Sequence, residues 1–357
     1  MKSIIEKPSK EDSRLPEGER YFGFVNDNNI CYANSAIQIL YHCKRFRQKV
    51  ISYQIPKSTQ KDAQPLLILE LQELFQEMDS QNLKESKKGA VTLNTKKLMK
   101  RIKSLNELFN NEDHHDSHEF MMWLLNTIND EMAGPQSQQR MTFVREVFEG
   151  KLVSRTRCLE CECGGERDET FLALSVDIDK GHSLNQCIKQ FAHKEWMLKQ
   201  DKFFCENCHT KQVATRQMMI KSKPRSLIIH LKRFRIDYRT NHHQKLGTRI
   251  PFPQELRIES ALDDISGENH ILYNLTGIVV HMGQGYAYGH YFALVKSKGR
   301  WIKFDDTSVE PVDEKYMRAL FGNPQQSSGN QQETTSWPSA YMLLYDAVDE
   351  RSQNTDQ

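Results

Sequence analysis

The sequence predicts an α+β fold, with helices in the first part of the chain and antiparallel strands in the second. Up to about residue 140, apolar side chains recur at helical spacing. From about residue 141, short runs rich in β-branched and aromatic residues are separated by turn residues. Hydrophobic residues make up 38% of the 357 residues, which is enough for a substantial core. This segregation of helices and strands along the chain is typical of α+β architecture.

Three segments of the first part have the periodicity of helices. The segments 65–78 and 95–105 each place apolar side chains on one stripe. The stripes consist of Leu67, Leu71, Leu74, Phe75 and Met78 in the first and of Leu98, Ile102 and Leu105 in the weaker second. In the third segment, 116–130, Asp116 is a candidate N-cap and Glu119 follows three residues later. This spacing indicates a capping box at a helix start.

The second part contains four clear strand patterns. The predicted strands are SLIIHLKRFRI at 226–236, YNLTGIVVHMG at 273–283, HYFALVKS at 290–297 and SAYMLLYDA at 339–347. Polar stretches of low complexity at 134–140 and 322–339 are predicted to be surface loops. The chain shows no internal repeat, so it is not expected to be a repeat protein.

Charge and hydropathy argue against several classes of protein. The formal net charge is +2, so electrostatics alone do not indicate nucleic-acid binding. No apolar run approaches the roughly 18 residues of a membrane span. Residues 1–20 lack the apolar region of a signal peptide and are interpreted as a disordered leader, with a tail at 348–357. We therefore expect a cytoplasmic protein, and its size leaves entry into the nucleus open.

Two C-x-x-C pairs predict a metal site. The pairs are Cys158 with Cys161 and Cys205 with Cys208. Each C-x-x-C turn aims two thiolates at one point, so two turns complete a tetrahedral zinc site with no open position. Such a site is structural rather than catalytic. The spacing leaves open four free thiols, or the use of Cys163 or His209 as a substitute ligand.

The stretch NDNNICYANS, at 26–35, contains a candidate nucleophile. Cys31 directly precedes a helical pattern, and the positive end of a helix favours the reactive thiolate form of a thiol. The position also suits a small buried residue, and the motif alone favours that structural interpretation. Cys43 and Cys187 lie in apolar-patterned segments and are predicted to be core residues.

A histidine near the far end of the chain supports the nucleophile. His290 follows the glycine-rich stretch 283–289 and begins a predicted strand. If the turn at 298–299 closes a two-residue hairpin, Asp305 lies on the same face as His290, one diagonal step away. Asp306 is then expected to point to the opposite face. A register slip of one residue would exchange the two aspartates.

Separated stretches between about residues 20 and 347 resemble one enzyme family, in matching order. FGFVNDNNICYANS is similar to the cysteine box of the ubiquitin-specific proteases, and GHYFALVKSKGRWIKFDD to their histidine box. DSHEF resembles the D-A-H-E-F element, and the paired C-x-x-C resembles the zinc-bearing fingers. YHCKRFRQKV and VFEGKLVSRTRCLECE are similar to a short subgroup that is little more than a catalytic domain and is activated by a WD40-repeat partner.

The resemblance implies a papain-like, hand-shaped catalytic domain over residues 21–347. A helical thumb is expected at about 21–140, and an antiparallel β palm with zinc-bearing β fingers at about 141–347. The implied activity is that of a deubiquitinating thiol protease, which hydrolyses the peptide or isopeptide bond after the C-terminal glycine of ubiquitin. The implied partners are ubiquitin, ubiquitinated proteins and a WD40-repeat activator, and the implied cofactor is structural Zn²⁺. Neither nucleic acid nor a membrane is implied.

The resemblance also assigns roles to individual residues. Cys31 matches the nucleophile, His290 the general base and acid, and Asp305 the residue that orients the imidazole. Asn26 matches an asparagine that helps to stabilise the oxyanion, and Asp306 matches a second acidic position that assists or replaces the first in some members. The remaining pair, Asp116 and Glu119, matches positions that contact the basic tail of ubiquitin, although helix capping explains both without a substrate.

The cysteine box departs from the family pattern. Asn28, Asn29 and Ile30 stand where members commonly carry Gly-Asn-Thr. Asparagine tolerates a left-handed backbone better than most residues, whereas Ile30 is bulkier than the usual hydroxyl residue and could crowd the nucleophile. Three hypotheses follow: an active deubiquitinase, a weakly active or inactive ubiquitin-binding scaffold that acts with a WD40-repeat partner, and a zinc-ribbon interaction module unrelated to proteolysis.

Overall fold

The described part of the chain has the predicted α+β fold, with helices packed on antiparallel sheets. Most of the predicted leader, the tail and the two polar loops lies outside the described residues. The structure is a computed structural model that describes residues 14–17, 19–55, 66–82, 90–134, 140–237, 242–258, 271–283, 285, 288–323 and 337–349.

The longer helices lie in the first part of the chain, as the periodicity predicted. In chain order the helices are α1 (Cys31–His42), α2 (Lys44–Ile51), α3 (Leu67–Asn82), α4 (Lys96–Leu105), α5 (Ser117–Ala133), α6 (Phe143–Phe148), α7 (Leu184–Phe191) and α8 (Glu314–Ala319). The predicted apolar stripe of α3 is buried, and Asp116 caps α5. Leu105 is 39% exposed rather than buried, because α4 ends there. None of the described helices combines the length and apolarity needed to cross a membrane.

Strands make up most of the second part. In chain order they are β1 (Tyr21–Phe24), β2 (Ala90–Leu93), β3 (Gly150–Cys158), β4 (Gly164–Phe171), β5 (Ala173–Val176), β6 (Lys194–Met197), β7 (Phe203–Cys205), β8 (Thr210–Gln212), β9 (Ala214–Ser222), β10 (Ser226–Leu231), β11 (Phe234–Asp237), β12 (His242–Lys245), β13 (Glu255–Arg257), β14 (Leu272–Met282), β15 (His290–Ser297), β16 (Arg300–Asp305), β17 (Ser308–Val312) and β18 (Ser339–Ala347). Each of the four predicted strand patterns overlaps strands of this set, although the pattern at 226–236 is divided between β10 and β11.

The strands of the described chain form one large sheet and several smaller ones. The large sheet has the order β17-β16-β15-β14-β18-β10-β5, with β13 paired to β14. Its neighbours are antiparallel except for β10 and β5, which are parallel. A second sheet has the order β4-β3-β9-β6, and β7 pairs with β8 in a separate hairpin. The predicted C-x-x-C pairs begin at the last residues of β3 and β7.

Several elements do not follow the predicted division into helices and strands. The short helices α6, α7 and α8 interrupt the strand-rich part, because six to eight residues are too few for a clear helical period. In the helical part, β1 and β2 pair in parallel, with Tyr21 opposite Ala90. Pairing between segments so distant leaves no local pattern in the sequence.

The helix that begins at Cys31 is buried on all sides. Every residue of α1 except His42 is buried. This happens because α1 packs against β14 and β15 of the large sheet on one side and against α5 on another. A helix buried all round is held firmly, so its first residue has a fixed position relative to β15.

The hairpin of β15 and β16 has the predicted register. Ser297 pairs with Arg300, and Ala293 pairs with Phe304. The two turn residues, Lys298 and Gly299, have φ angles of 47° and 78°, as a two-residue turn with a left-handed path requires. The register therefore carries Asp305, the last residue of β16, to the diagonal position beside the first residue of β15.

Candidate active site and cysteine cluster

The loop before α1 has a left-handed backbone of the kind that glycine favours, although asparagines occupy these positions. Asn28 and Asn29 have φ angles of 60° and 59°, directly before Ile30, the N-cap residue of α1. Left-handed backbone is costly for most residues and least costly for asparagine among the non-glycine residues. The replacement of the family's glycine by Asn28 is therefore accommodated, and Cys31 takes the first position of the helix.

Ile30 packs toward α4. Its side chain is 5% exposed and, with Met99 and Lys100, lines a surface pocket of about 570 Å³ between the cysteine loop and α4. Its backbone N–H donates to the Asn26 side-chain oxygen at 2.9 Å. The Ile30 side chain is thus accommodated beside α4, and its backbone N–H helps to fix the loop through Asn26.

His290 and Asp305 form a hydrogen-bonded pair at the start of β15 and the end of β16. The imidazole Nε2 lies 2.5 Å from Asp305 Oδ1, and both side chains are partly buried. The Asp305 carboxylate and then the Cys31 sulfur raise the pKa of His290 to about 10 through hydrogen bonds, against the effect of burial. Because Nε2 is engaged by Asp305, Nδ1 is the ring nitrogen that faces Cys31.

Asp305 is held from a second side by Lys303. Lys303 Nζ lies 2.8 Å from Asp305 Oδ2, and its side chain is 15% exposed. Burial acts to raise the pKa of Asp305, but the His290 hydrogen bond and the Lys303 contacts outweigh burial and lower that pKa to about 2. Asp305 therefore stays ionised and fixes the orientation of the imidazole. Sequence reasoning missed Lys303, although its position two residues before Asp305 places both side chains on one face of β16.

Asp306 does not point away from the site, contrary to the expectation from strand alternation. Alternation applies only within β16, which ends at Asp305, and Asp306 has a left-handed φ of 50°. Its two carboxylate oxygens accept hydrogen bonds from Asn26 Nδ2 at 2.8 Å and from Asn34 Nδ2 at 2.9 Å. The carboxylate also lies within 4.8 Å of the ligand atoms of His290 and Asp305.

Asn34 is a site residue that sequence reasoning missed. It is 3% exposed and lies on α1, three residues after Cys31. Besides its bond to Asp306, its amide also donates to the Val25 carbonyl at 3.3 Å. The available signal was an asparagine on a helix whose other residues are mainly apolar, since such an amide needs a buried partner.

Asp116 acts as a helix cap, while Glu119 is exposed on the first turn of α5. Asp116 Oδ1 accepts from the backbone N–H of His118 at 2.7 Å and of Glu119 at 2.9 Å. Its other oxygen accepts a hydrogen bond from the Tyr341 hydroxyl on β18. Both carboxylate oxygens of Asp116 thus have partners within the fold, so the capping interpretation is confirmed for this residue.

The glycine directly before His290 is required by packing. A Cβ at Gly289 would lie 2.1 Å from His281 Nε2. His281 is 1% exposed and packs against the rings of Phe234 and Tyr291. The ring of His281 cannot retreat, so any larger residue at 289 would displace the start of β15 and with it His290.

Four cysteines converge between the four-stranded sheet and the β7–β8 hairpin. Their sulfur atoms all lie within 4.8 Å of one another, and those of Cys161 and Cys205 are 3.5 Å apart. Four sulfurs bound tetrahedrally to zinc at about 2.3 Å would be about 3.8 Å apart. The donor set and its spacing therefore fit a closed tetrahedral metal site. The cluster is formed by Cys158, Cys161, Cys205 and Cys208.

Neither predicted substitute ligand belongs to this cluster. The residue after each C-x-x-C pair has a left-handed backbone, with φ of 57° at Glu162 and 51° at His209. His209 thus ends the second turn, as Glu162 ends the first. Cys163 is exposed, and its backbone carbonyl accepts a 2.8 Å hydrogen bond from the N–H of Cys158. As predicted, the two remaining cysteines, Cys43 and Cys187, are buried in the core.

The site has the components of nucleophilic catalysis by a thiol. A sulfur at a helix N-terminus faces an imidazole, and the imidazole is oriented by an ionised carboxylate. The N–H of Cys31, as the first residue of α1, has no acceptor within the helix. One Asn26 N–H is engaged by Asp306, and the amide nitrogen carries a second. The thiol can attack a carbonyl carbon, and the Cys31 N–H and the Asn26 amide can stabilise the resulting oxyanion.

The sequence matches known proteins along nearly its whole length. Residues 22–345 match the family model described as ubiquitin carboxyl-terminal hydrolase. Ubiquitin carboxyl-terminal hydrolase 4 of Arabidopsis thaliana is 36% identical, over 95% of this chain and 96% of that protein. Ubiquitin carboxyl-terminal hydrolase 12 of Salmo salar is 35% identical, over 97% of this chain and 95% of that protein.

Solved structures of a deubiquitinating module have a similar fold. The structure of the SAGA Ubp8/Sgf11/Sus1/Sgf73 DUB module bound to ubiquitin aldehyde matches with a TM-score of 0.73 and 26% identity, over 92% of this chain and 69% of that chain. A structure of the module with a Ubp8 variant bound to monoubiquitin has the same TM-score and identity, over 97% of this chain and 72% of that chain. The hand-shaped fold implied by the sequence resemblance is thus confirmed.

We expect the imidazole of His290 to remain protonated well above neutral pH, with a pKa of about 10. Replacing Asp305 with Asn removes the largest cause of the increase, so the pKa of His290 should fall toward its ordinary value of 6.5. NMR titration of the imidazole nitrogens in wild type and in Asp305→Asn measures both values. His281 is an internal control, because burial lowers its pKa to about 2 and keeps it neutral.

The same pKa change links the pair to stability. Because the folded-state pKa of His290 lies above 6.5, its contacts stabilise the fold fully below about pH 6.5, and this contribution is lost as pH rises through about 10. The difference in unfolding free energy between wild type and Asp305→Asn should therefore shrink over that interval in urea titrations. A constant difference, or an unchanged His290 pKa in the variant, would contradict the assignment.

Proposed function

The chain belongs to the ubiquitin carboxyl-terminal hydrolase family, and on that premise we propose that it is an active thiol hydrolase that cleaves the bond after the C-terminal glycine of ubiquitin. The observation that carries the proposal is the contact of His290 with both Cys31 and Asp305, across a wide separation in the chain. A cysteine, an imidazole and a carboxylate in this order form the constellation of cysteine hydrolases. Membership of the family makes ubiquitin the substrate class.

The first chemical step is attack by Cys31. His290 is already an imidazolium at neutral pH, stabilised by Asp305, and is the counter-ion of the thiolate that Cys31 presents for attack. The thiolate then attacks the carbonyl carbon of the terminal glycine of ubiquitin. The oxyanion that forms accepts hydrogen bonds from the Cys31 N–H and from the Asn26 amide. Asp306 keeps that amide in place through its 2.8 Å hydrogen bond.

The second half of the reaction releases the two products. The His290 imidazolium donates its proton to the leaving amine, which is a lysine side chain in an isopeptide substrate. Water, deprotonated by the now neutral imidazole, then hydrolyses the thioester between Cys31 and ubiquitin. Asp305 stays ionised throughout, because His290 and Lys303 hold its pKa at about 2.

We propose a division of labour between the two acidic residues at the start of α5. Glu119 is exposed on the first turn of α5, where its carboxylate can meet the basic tail of ubiquitin. Asp116 is 6% exposed and caps the helix, so it positions Glu119 and adds negative potential beside the tail. Asp116 caps the helix that packs against α1 and Glu119 lies on its first turn, which supports their proximity to the nucleophile.

The alternative of an inactive ubiquitin-binding scaffold rests on the altered cysteine box. The geometry favours activity, because Asn28 adopts the left-handed backbone that glycine would supply and Ile30 packs beside α4. The hydrogen-bonded triad is also intact. The scaffold therefore becomes an outcome to be excluded by experiment rather than the preferred function.

We propose that the cysteine cluster binds a structural zinc ion. Its four sulfurs fit tetrahedral coordination, and such a closed set leaves no position for substrate or water. When bound, zinc supplies folding free energy by holding the ends of β3 and β7 together. The residues that would hold it are Cys158, Cys161, Cys205 and Cys208.

We also propose that a WD40-repeat protein activates this chain. The support is the similarity of several stretches to the short subgroup with such activators, together with large exposed apolar side chains on β6 and β7. Trp196 on β6 is 61% exposed and Phe204 on β7 is 56% exposed. Large exposed apolar side chains of this kind mark surfaces that bind other proteins.

A ubiquitin probe with an electrophilic C-terminus should form a covalent adduct with Cys31. Cys31→Ala should abolish both the adduct and the hydrolysis of a ubiquitin C-terminal amide, while ubiquitin binding survives because the rest of the site is unchanged. The adduct is measured by gel shift, hydrolysis by a fluorescence assay and ubiquitin binding by calorimetry. Cys163→Ala is the matched control, since this exposed cysteine lies outside the triad and the cluster. Ubiquitin binding without adduct in the wild type would support the scaffold instead.

Purified protein should contain about one zinc ion per chain. Cys205→Ser should lower both the zinc content and the melting temperature, because a buried ligand is lost, whereas Cys163→Ser should change neither. Elemental analysis and calorimetry give these values. Hydrogen exchange in Cys205→Ser should increase in β3 and β7 and stay unchanged around His290. Protein free of zinc yet fully stable would refute the proposal.

Addition of a purified WD40-repeat activator should raise turnover of the ubiquitin amide by about tenfold, which is within the usual range of coupling between sites. Double replacement of Trp196 and Phe204 by Ala should remove this activation and leave the basal rate unchanged. The control is Leu105→Ala, at an exposed apolar residue of α4, which should keep the activation. Activation that persists in the double variant would contradict the surface assignment.

A further inference from the structure

Two adjacent left-handed residues before the nucleophile need external support. Asn28 and Asn29 both have φ near 60°, and neither is glycine. Such a backbone costs about 1–2 kcal/mol for each ordinary residue, and less for asparagine. Conformations of this kind persist when surrounding contacts fix them. The contacts of the two side chains therefore show what determines the path of the loop.

Both asparagine side chains donate to the same residue, Glu112. Asn28 Nδ2 lies 2.8 Å from Glu112 Oε1, and Asn29 Nδ2 lies 2.8 Å from the Glu112 carbonyl oxygen. Glu112 is separated from Asn28 by 84 positions and lies in the segment that leads to α5. One residue thus holds both left-handed positions, one through its side chain and the other through its main chain.

The segment that carries Glu112 is itself fixed. Asn111 Oδ1 accepts from the Asp113 N–H at 3.0 Å and lies 2.7 Å from His115 Nε2. His115 is 7% exposed and packs edge-on against the ring of Tyr32, with 5.2 Å between ring centroids. Tyr32 directly follows Cys31, so this segment is anchored on the helix of the nucleophile.

The far end of the loop carries the groups that meet the oxyanion. Ile30 N–H donates to Asn26 Oδ1, so the Asn26 amide and the main chain at Ile30 are coupled. The next N–H along the chain is that of Cys31. A shift of Asn28 and Asn29 therefore changes the direction of both the Asn26 amide and the Cys31 N–H.

We propose that Glu112 is a positioning residue that aligns the oxyanion donors through Asn28 and Asn29. The inference rests on the proposed function and adds a specific residue to it, on the segment that leads to Asp116. Glu112 touches neither the reacting atoms nor the triad. It takes over, by hydrogen bonding, the conformational role that glycine fills in related cysteine boxes.

This role has a kinetic signature. Alignment of oxyanion donors acts on the transition state and not on the folded body of bound ubiquitin. Loss of one hydrogen bond that positions the loop should lower kcat by about threefold to tenfold, with KM unchanged. A purely structural role would instead lower thermal stability or change ubiquitin affinity as well.

The test compares Glu112→Ala, Glu112→Gln, Asn28→Gly, the double variant Glu112→Ala/Asn28→Gly and the control Asp113→Ala. Gln keeps an acceptor at Oε1 and should restore most of kcat. Asn28→Gly keeps the left-handed backbone but removes the side-chain amide that binds Glu112. Adding Glu112→Ala to Asn28→Gly should therefore cause no further loss of kcat. Asp113→Ala removes a neighbouring exposed carboxylate and should behave as wild type.

Two affinities complete the test, that of ubiquitin aldehyde for each variant and that of ubiquitin for the same variants in a Cys31→Ala background. Glu112→Ala should weaken binding of the aldehyde by about threefold to tenfold, because its hemithioacetal needs the oxyanion donors, and leave ubiquitin binding unchanged. The role of Glu112 is overturned if Glu112→Ala leaves kcat and aldehyde affinity unchanged, or if it lowers kcat equally in the wild-type and Asn28→Gly backgrounds. Either outcome leaves the proposed function standing. A wild type without turnover and without tighter binding of the aldehyde overturns the proposed function, and this inference with it.

Discussion

Hydrogen bonds from Asn26 and Asn34 to the Asp306 carboxylate join the two segments that carry the site. The asparagines flank Cys31 along the chain, and Asp306 follows the strand that ends at Asp305. Each carboxylate oxygen accepts from one amide, so a displacement of the hairpin from the helix would break both bonds. The meeting of thiol and imidazole depends on this link, because the two residues belong to distant parts of the chain and only packing and hydrogen bonds hold them together.

Lys303, Asp305 and His290 form a row of charged groups, in which each group favours the charged form of the next. Lys303 binds one oxygen of Asp305 and leaves the other to His290. Asp305 therefore stays ionised, and its charge favours the imidazolium form of His290 that a thiolate partner needs. The row is partly buried, where charge–charge interactions are stronger than in water. The hairpin determines the geometry of Lys303, Asp305 and His290, which all lie on β15 and β16.

The active site and the cysteine cluster belong to separate sheets. His290 belongs to the large sheet, whereas the cysteine cluster joins the four-stranded sheet to the β7–β8 hairpin. A metal in the cluster would therefore stabilise the four-stranded sheet and the β7–β8 hairpin without touching the reacting groups. The cysteine loop depends on a third set of contacts, in which Glu112 supports the left-handed path of Asn28 and Asn29. This set compensates for the departure from the family's cysteine box.

The features that could be predicted from the residues alone are those that depend on neighbours in the chain. The start of α5 at Asp116, the paired C-x-x-C turns and the face shared by His290 and Asp305 follow from side-chain spacing and turn chemistry over a few residues. By contrast, the turn of Asp306 toward Asn26, 280 positions away, and the support of Asn28 by Glu112 became visible only in the folded chain. Hydrogen bonds between such distant segments require α1 to be packed between the large sheet and α5, and no local pattern of residues encodes that packing.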